Sequence, residues 1–251
     1  FYDKVGALKD VIQNHIMQVI GLLAMDPPSE ATPEQIHGSQ LEVFQSMQPI
    51  DPKEYVRGQY EGYLDVDGVA DGSTTETFVA MRIRINNSRW ADVPFFVRAG
   101  KSLTNTATEA IVVFKRPPML LFGESGHRKP EPNWIRFRLG HNDGVQMRVQ
   151  ALDPTSTMSS TEVVLNVDFS DALGVEKLPY EQLLGDALDG NATRFATQSI
   201  IEGTWSALAQ ILEDPGPALP YTCGSWGPAE AEKLTHGHHG WIEPISPASD
   251  R

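Results

Sequence analysis

The sequence predicts an α+β fold: a large, mostly antiparallel sheet with helices packed on it. Six segments with strand patterns follow one another through the middle of the chain, with no helical segment between them. Before and after this run, apolar residues recur at helical spacing. The sequence contains no internal repeat and no linker, so we expect a single domain over residues 1–251.

The first helix is expected to begin near Gly6 or Ala7 and to end before Pro27 and Pro28, because two consecutive prolines cannot continue a helix. At about 100° per residue, its apolar residues form one stripe with His15 in the middle. An ionisable ring is therefore expected in apolar surroundings. The stripe consists of Leu8, Val11, Ile12, Ile16, Val19, Leu22 and Leu23.

A second helix is indicated by Thr32, a good N-cap residue, and by Pro33, which suits the first helical position. This helix is expected to run toward Met47, with a break around Gly38. Residues 58–73 are rich in glycine, aspartate and tyrosine and lack helical periodicity. We interpret them as a long loop.

The first strand of the central run covers residues 77–85. From Val79 onward, every second side chain of this segment is apolar, while the set that includes Phe78 is mixed. One face of this strand is therefore expected to be buried. Helical spacing returns at residues 179–188 and 195–212. The other expected strands are residues 93–99, 110–115, 134–139, 145–152 and 162–169.

The net charge of −13 and the isoelectric point near 4.9 argue against nucleic acid as a partner, which would need a clustered basic surface. The single cysteine, Cys223, cannot form an intramolecular disulfide. The closely spaced His236, His238 and His239 lie in a glycine-rich segment, and we assign no metal site to them. No apolar run is long enough to span a membrane and no signal segment is seen, so we expect a cytoplasmic protein.

Two residues are candidates for chemistry, each with a plain alternative. His15 is either a buried structural histidine or a general base, and helical periodicity does not decide between them. Lys101 follows Gly100 at the end of an expected strand, where its ammonium could hold a hydroxyl or phosphate oxygen. The alternative for Lys101 is an ordinary exposed lysine.

Two stretches resemble the glucose-6-phosphate dehydrogenase family. The first runs from Phe1-Tyr2-Asp3 through Gly6 and Asp10 to Gln13-Asn14-His15, and it resembles the segment with the catalytic histidine. The second is Trp90 through Lys101. Weaker matches are Gly72 to Thr77, Pro220-Tyr221, Gly224-Ser225, Gly227-Pro228 and the helix expected at Ala229 to Leu234.

The resemblance implies specific roles for three residues. His15 matches the general base that removes the proton from the C1 hydroxyl of the sugar while hydride leaves for the nicotinamide ring. Asp10 and Lys101 match residues that bind the sugar. On an ideal α-helix, Asp10 and His15 point about 140° apart. For both to touch one sugar, Asp10 must lie at an irregular helix start, which Gly6 permits.

The chain would then be the substrate-binding and dimerisation domain of an NADP-dependent enzyme. In the family, glucose 6-phosphate is oxidised to 6-phosphogluconolactone in the first step of the pentose phosphate pathway, and the sheet forms a homodimer. No glycine-rich turn joins a strand to a helix in this sequence. We therefore expect a Rossmann domain upstream that binds most of the NADP, assign no coenzyme-binding residue here, and expect this chain alone to be inactive.

Some positions depart from the family pattern. Thr106 stands where a second basic substrate contact is common, and Gly140 stands where a substrate-contacting glutamine is expected. These two departures favour an alternative, a non-catalytic paralogue acting as an interaction or regulatory module, and a sugar-phosphate sensor is a third possibility. Some members also have a second, structural NADP site. Arg98 and Arg138 match two of its residues, but Ala107 and Trp226 replace positive charge, so we predict its absence.

Overall fold

The computed structural model contains two compact units, each with a four-stranded sheet. The first unit comprises Phe1–Thr104 and Tyr180–Ile242, and the second comprises Asn105–Pro179 with Glu243 and Pro244. Helices together with mostly antiparallel sheets confirm the α+β class, although the expected single large sheet is divided into two. The structure describes residues 1–116, 131–140, 143–155, 160–174 and 178–244.

The elements follow the order expected from the sequence, with helices at both ends and strands between them. The α-helices are α1 (Met17–Ala24), α2 (Pro33–Ser46), α3 (Phe169–Leu173), α4 (Pro179–Asp189) and α5 (Gln198–Glu213). The strands are β1 (Tyr55–Tyr60), β2 (Phe78–Ile83), β3 (Phe95–Gly100), β4 (Glu109–Val113), β5 (Trp134–Arg138), β6 (Gly144–Leu152), β7 (Ser160–Asp168) and β8 (Leu219–Tyr221). A π-helix (Leu8–Ile16) precedes α1, and short 3₁₀ helices cover Tyr2–Lys4, Pro52–Glu54, Tyr63–Asp65 and Ala229–Thr235.

Helix α2 begins as predicted. The Thr32 hydroxyl accepts a hydrogen bond from the Gln35 amide at 3.4 Å, and Pro33 occupies the first helical position. The expected break at Gly38 is absent, and the helix continues through this residue to Ser46. A single glycine at an exposed helix position lowers helix stability by only about 1 kcal/mol relative to alanine. The hydrogen bonds and packing of the neighbouring turns offset this loss.

In the first sheet the strand order is β3-β2-β1-β8, and only the β1–β8 pair is parallel. Strand β1 extends into residues 58–73, which the sequence analysis interpreted as a loop. Gly58 explains this difference, because a Cβ atom there would lie 2.7 Å from the Pro228 ring. The glycine permits close packing within a strand, and it does not mark a turn.

The core of the first unit lies on both faces of β2. On one face, Val79, Met81 and Ile83 pack against α1, α2 and α5. On the other face, Phe78 and Ala80 pack with Tyr221 and Ala231. The sequence predicted one buried face, and burial of the second face comes from segments more than 140 residues away along the chain. No described helix is long and apolar enough to cross a membrane.

The second unit contains the antiparallel sheet β4-β5-β6-β7. Its register places apolar side chains opposite one another across all four strands, so that they share one face. Along the outer strand β7 the side chains are mostly exposed, and Leu165 is 54% exposed. The shared apolar face consists of Ala110, Val112, Ile135, Phe137, Val145, Met147, Val149, Val163, Leu165 and Val167.

Candidate active site

The segment with His15 is a π-helix, and this changes which side chains face the core. In a π-helix the hydrogen bonds join residues five apart, so each turn holds more residues than an α-turn. The buried residues are Leu8, Ile12 and then Met17, which is five positions further on. The predicted stripe at α-helical spacing is therefore wrong in part, and Leu22 is 53% exposed.

His15 is exposed, and the expectation of an apolar environment for its ring is wrong. Widening the helix rotates His15 away from the buried face that an α-helical register would give it. The described contact of its ring is with the Asn14 amide group, 3.4 Å from Nε2. An exposed imidazole is accessible to a small-molecule substrate, which a buried structural histidine is not.

The same widening brings Asp10 and His15 onto one side of the helix. On an α-helix residue i+4 lies above residue i, and in a π-helix residue i+5 takes approximately this place. The irregular backbone that the sequence analysis required at Asp10 therefore extends through His15. Among the described residues no hydrogen bond or ion pair joins the two side chains.

Glu76 holds the start of the helix. Its carboxylate accepts a hydrogen bond from the Leu8 amide at 3.1 Å and pairs with Arg57 at 3.0 Å, and its carbonyl oxygen accepts from the Ala7 amide at 3.0 Å. Gly6 has a φ of +69°, and a Cβ there would lie 2.3 Å from a Glu76 carboxylate oxygen. The turn before the helix thus requires a glycine, which is the irregularity that Gly6 was expected to permit.

Asp3 fixes the turn at the beginning of the chain. Its carboxylate accepts hydrogen bonds from the Ser73 hydroxyl at 2.5 Å, the Ala70 amide at 3.1 Å and the Tyr63 hydroxyl at 3.1 Å. The Ser73 hydrogen bond and then the Ala70 amide lower the pKa of Asp3. The Thr75 hydroxyl also donates to the Asp3 carbonyl oxygen at 2.6 Å.

Lys101 follows β3 immediately, as the sequence predicted. Its amide donates to the Thr77 carbonyl oxygen at 2.8 Å, and its carbonyl oxygen accepts from the Tyr221 hydroxyl at 2.7 Å. Burial is the largest cause that raises the pKa of Tyr221 to about 12, so this hydroxyl keeps its proton. The Lys101 side chain is exposed, and its ammonium lies 4.8 Å from the centre of the Tyr2 ring.

Tyr2 lies beside one of the three candidate residues, Lys101. Burial raises the pKa of Tyr2, with the Glu76 carboxylate as the next cause and Asp10 as a smaller one. All three candidate residues lie in the first unit, with the Lys101 ammonium beside the Tyr2 ring and with His15 on the same side of the helix as Asp10.

Comparison with known proteins decides the family. The family model of the glucose-6-phosphate dehydrogenase C-terminal domain matches residues 1–242. The chain belongs to this family. It is 43% identical over 247 residues to glucose-6-phosphate 1-dehydrogenase 1 of Mycobacterium bovis, covering 98% of this chain and 52% of that protein.

Two solved structures of glucose-6-phosphate dehydrogenase are similar in fold. The enzyme from Mycobacterium avium matches with a TM-score of 0.87 and 42% identity, over 98% of this chain and 53% of that one. A glucose-6-phosphate dehydrogenase in complex with its substrate glucose 6-phosphate matches with a TM-score of 0.83 and 27% identity, over 97% and 52% of the two chains. The chain thus spans about half the length of the relatives it matches.

The remaining residues singled out from the family resemblance are distributed over both units. Thr106, Gly140, Ala107 and Arg138 lie in the second unit. In the first unit, the Arg98 guanidinium lies 4.5 Å from the centre of the Trp226 ring and 4.9 Å from that of Trp241. Trp226, which stands where the family pattern has a positive charge, therefore stacks on Arg98. No described group of three side chains could hold a metal ion.

No sequence pattern marked Tyr2, Glu76 or Tyr221 as a site residue. Tyr2 and Tyr221 were quoted within the family motifs, but their contacts with Lys101 join positions that are about 100 or more residues apart. Glu76 lay in the segment expected to lead into the first strand. Its partner Arg57 lies on β1, which was not predicted as a strand, so no local pattern could predict the pair.

Proposed function

We propose that this chain is the substrate-binding and dimerisation part of a glucose-6-phosphate dehydrogenase. The reaction is oxidation of glucose 6-phosphate at C1 to 6-phosphogluconolactone, with NADP as the hydride acceptor. The observation that carries the proposal is the π-helix, because it places an acidic side chain, Asp10, and an exposed imidazole, His15, on one side of one helix. A single sugar can then meet both.

His15 acts as the general base in this proposal. Oxidation of a hydroxyl requires removal of its proton as the hydride departs from the same carbon, and histidine is the most common general base near neutral pH. The exposed imidazole can accept the proton of the C1 hydroxyl without rearrangement of the core. NADP, when bound, supplies the acceptor for the hydride.

Asp10 and Lys101 hold the sugar phosphate. The Asp10 carboxylate can accept hydrogen bonds from sugar hydroxyls, and the exposed Lys101 ammonium can pair with a hydroxyl or a phosphate oxygen. In a chain with a net charge of −13, an anionic substrate depends on such a local cation. Thr106 and Gly140 supply no charged contact, and loss of one costs about 1.5–3 kcal/mol of binding.

The proposal assigns NADP mainly to a Rossmann domain upstream of this chain, as the family resemblance implies. The two compact units would together serve as one substrate-binding and dimerisation domain over residues 1–251. We place the enzyme in the cytoplasm, at the first step of the pentose phosphate pathway. These assignments follow from the family.

The proposed homodimer uses the sheet of the second unit. Its shared apolar face runs across four strands, and on β7 the side chains Val163, Leu165 and Val167 of that face are 37%, 54% and 48% exposed. A contiguous exposed apolar surface of this kind is typical of an interface. A second copy that presents the same surface would bury it in a symmetric contact.

Steady-state kinetics of the full-length protein test the proposal. Wild-type protein should reduce NADP when glucose 6-phosphate is supplied, and His15→Ala should lower kcat by about 10²–10⁴. His236→Ala is the matched control, because His236 is also an exposed histidine of the first unit. Near-normal turnover by His15→Ala would refute the assignment of the base. An inactive wild-type protein would favour a non-catalytic interaction module.

A further inference from the structure

The backbone of Lys101 is held firmly on both sides. Its amide and carbonyl groups are hydrogen-bonded to Thr77 and Tyr221 at 2.8 Å and 2.7 Å. The next residue, Ser102, accepts from the Gly224 amide at 2.7 Å and has a φ of +52°, which a non-glycine residue rarely adopts. These contacts fix where the lysine stem begins. They do not fix where the ammonium lies, because the four-carbon stem rotates freely.

The face of the Tyr2 ring restrains the ammonium. The Lys101 ammonium lies 4.8 Å from the centre of the Tyr2 ring, within the range in which a cation is attracted to the electron-rich face of an aromatic ring. The ring is partly buried and the backbone that carries it is anchored, since the Val5 amide donates to the Tyr2 carbonyl oxygen at 3.0 Å and the carboxylate of the adjacent Asp3 accepts three hydrogen bonds. A fixed ring can thus hold a flexible cation.

We propose that Tyr2 is a positioning residue for Lys101, and that its ring face holds the ammonium in the orientation in which it meets the sugar phosphate. This inference rests on the proposed function, because it requires Lys101 to bind the substrate. The contribution belongs to the ring face and not to the hydroxyl. The hydroxyl is buried without a hydrogen-bond partner among the described residues, and nothing indicates that it reaches the substrate.

The test uses steady-state kinetics of the full-length protein with Tyr2→Leu, which removes the ring, and Tyr2→Phe, which keeps it. We expect Tyr2→Leu to raise KM for glucose 6-phosphate about three- to tenfold while kcat changes less than about twofold. Tyr2→Phe should return KM to within about twofold of wild type. The thermal midpoint of each variant is measured, and Tyr2→Met is the second ring-free variant if Tyr2→Leu does not fold.

A double-mutant cycle with Lys101→Ala separates positioning from packing. If Tyr2 acts through Lys101, Tyr2→Leu has no further effect on KM when Lys101 is already alanine. An equal effect in both backgrounds would mean that the ring has only a structural role, and would overturn the inference. An unchanged KM in Tyr2→Leu, with Lys101→Ala raising KM, would overturn this inference alone. Failure of the wild-type protein to oxidise glucose 6-phosphate would overturn the proposed function as well.

Discussion

Exchange of two neighbouring residues, Asn14→His together with His15→Asn, tests the register of the π-helix. In an α-helix, residue 14 would lie about 40° and residue 15 about 140° around the axis from Asp10. The exchange would then move the imidazole toward Asp10. In the π-helix of this chain, residue 15 takes the place above Asp10, and the exchange moves the imidazole away from it. We therefore expect the exchanged variant to lose the general base.

The expected loss follows from the contribution of a general base, about 10²–10⁴ in kcat or roughly 3–5 kcal/mol of transition-state stabilisation. Stability should change by less than about 0.5 kcal/mol, because both positions are exposed and the composition is unchanged. The assay is NADPH formation by the full-length protein with saturating glucose 6-phosphate. The reference is His15→Asn alone. Recovery of activity in the exchanged variant relative to that reference would refute the π-helical register.

Three further predictions concern stability, assembly and pH. Glu76→Ala should lower the free energy of unfolding by about 3 kcal/mol, since it leaves a largely buried arginine without its carboxylate. Glu54→Ala breaks the more exposed pairs with Arg82 and Arg84 and should cost no more than about 1 kcal/mol for each pair; equal losses in urea unfolding would contradict the argument. Leu165→Glu should raise the dimer dissociation constant at least about tenfold in sedimentation experiments, whereas Val164→Glu, on the opposite face of the same strand, should not. Because hydrogen bonds lower the pKa of Asp3, its contribution is present at neutral pH and is lost as pH falls below about 4. The thermal midpoint should therefore fall less on acidification in Asp3→Asn than in wild type, and parallel pH profiles would argue against this contribution.

The fold was predictable where the signal is local. All six central strands and the helices near residues 179–188 and 195–212 were found, since alternation and helical spacing are visible in short windows. The division into two sheets was not predictable. In the first sheet β1 lies between β2 and β8, and the parallel partner β8 is only three residues long and about 160 residues away along the chain. Pairing of this kind depends on tertiary packing, which no single window contains.

For the candidate site, the roles of the three residues stay predictions, and their geometry was not predictable from the sequence. The family resemblance supplied His15, Asp10 and Lys101, and it could do so because they lie in short motifs. The apolar stripe placed His15 in the core, because it assumed an α-helical period that this segment does not have. The Tyr2 contact with Lys101 joins two of these motifs in space, so it required the structure.

The π-helix itself is a product of packing. Its residues have no common sequence signal for a widened turn, but the segment is held by its surroundings at its start and in its middle. Glu76 holds the first turn, Ile12 is fully buried in the core, and the Gln13 amide donates to the Thr204 hydroxyl of α5 at 3.0 Å. The contacts that stabilise the first unit therefore also set the spacing between His15, the proposed base, and Asp10, the proposed sugar-binding carboxylate. The fold and the proposed chemistry thus depend on the same few side chains.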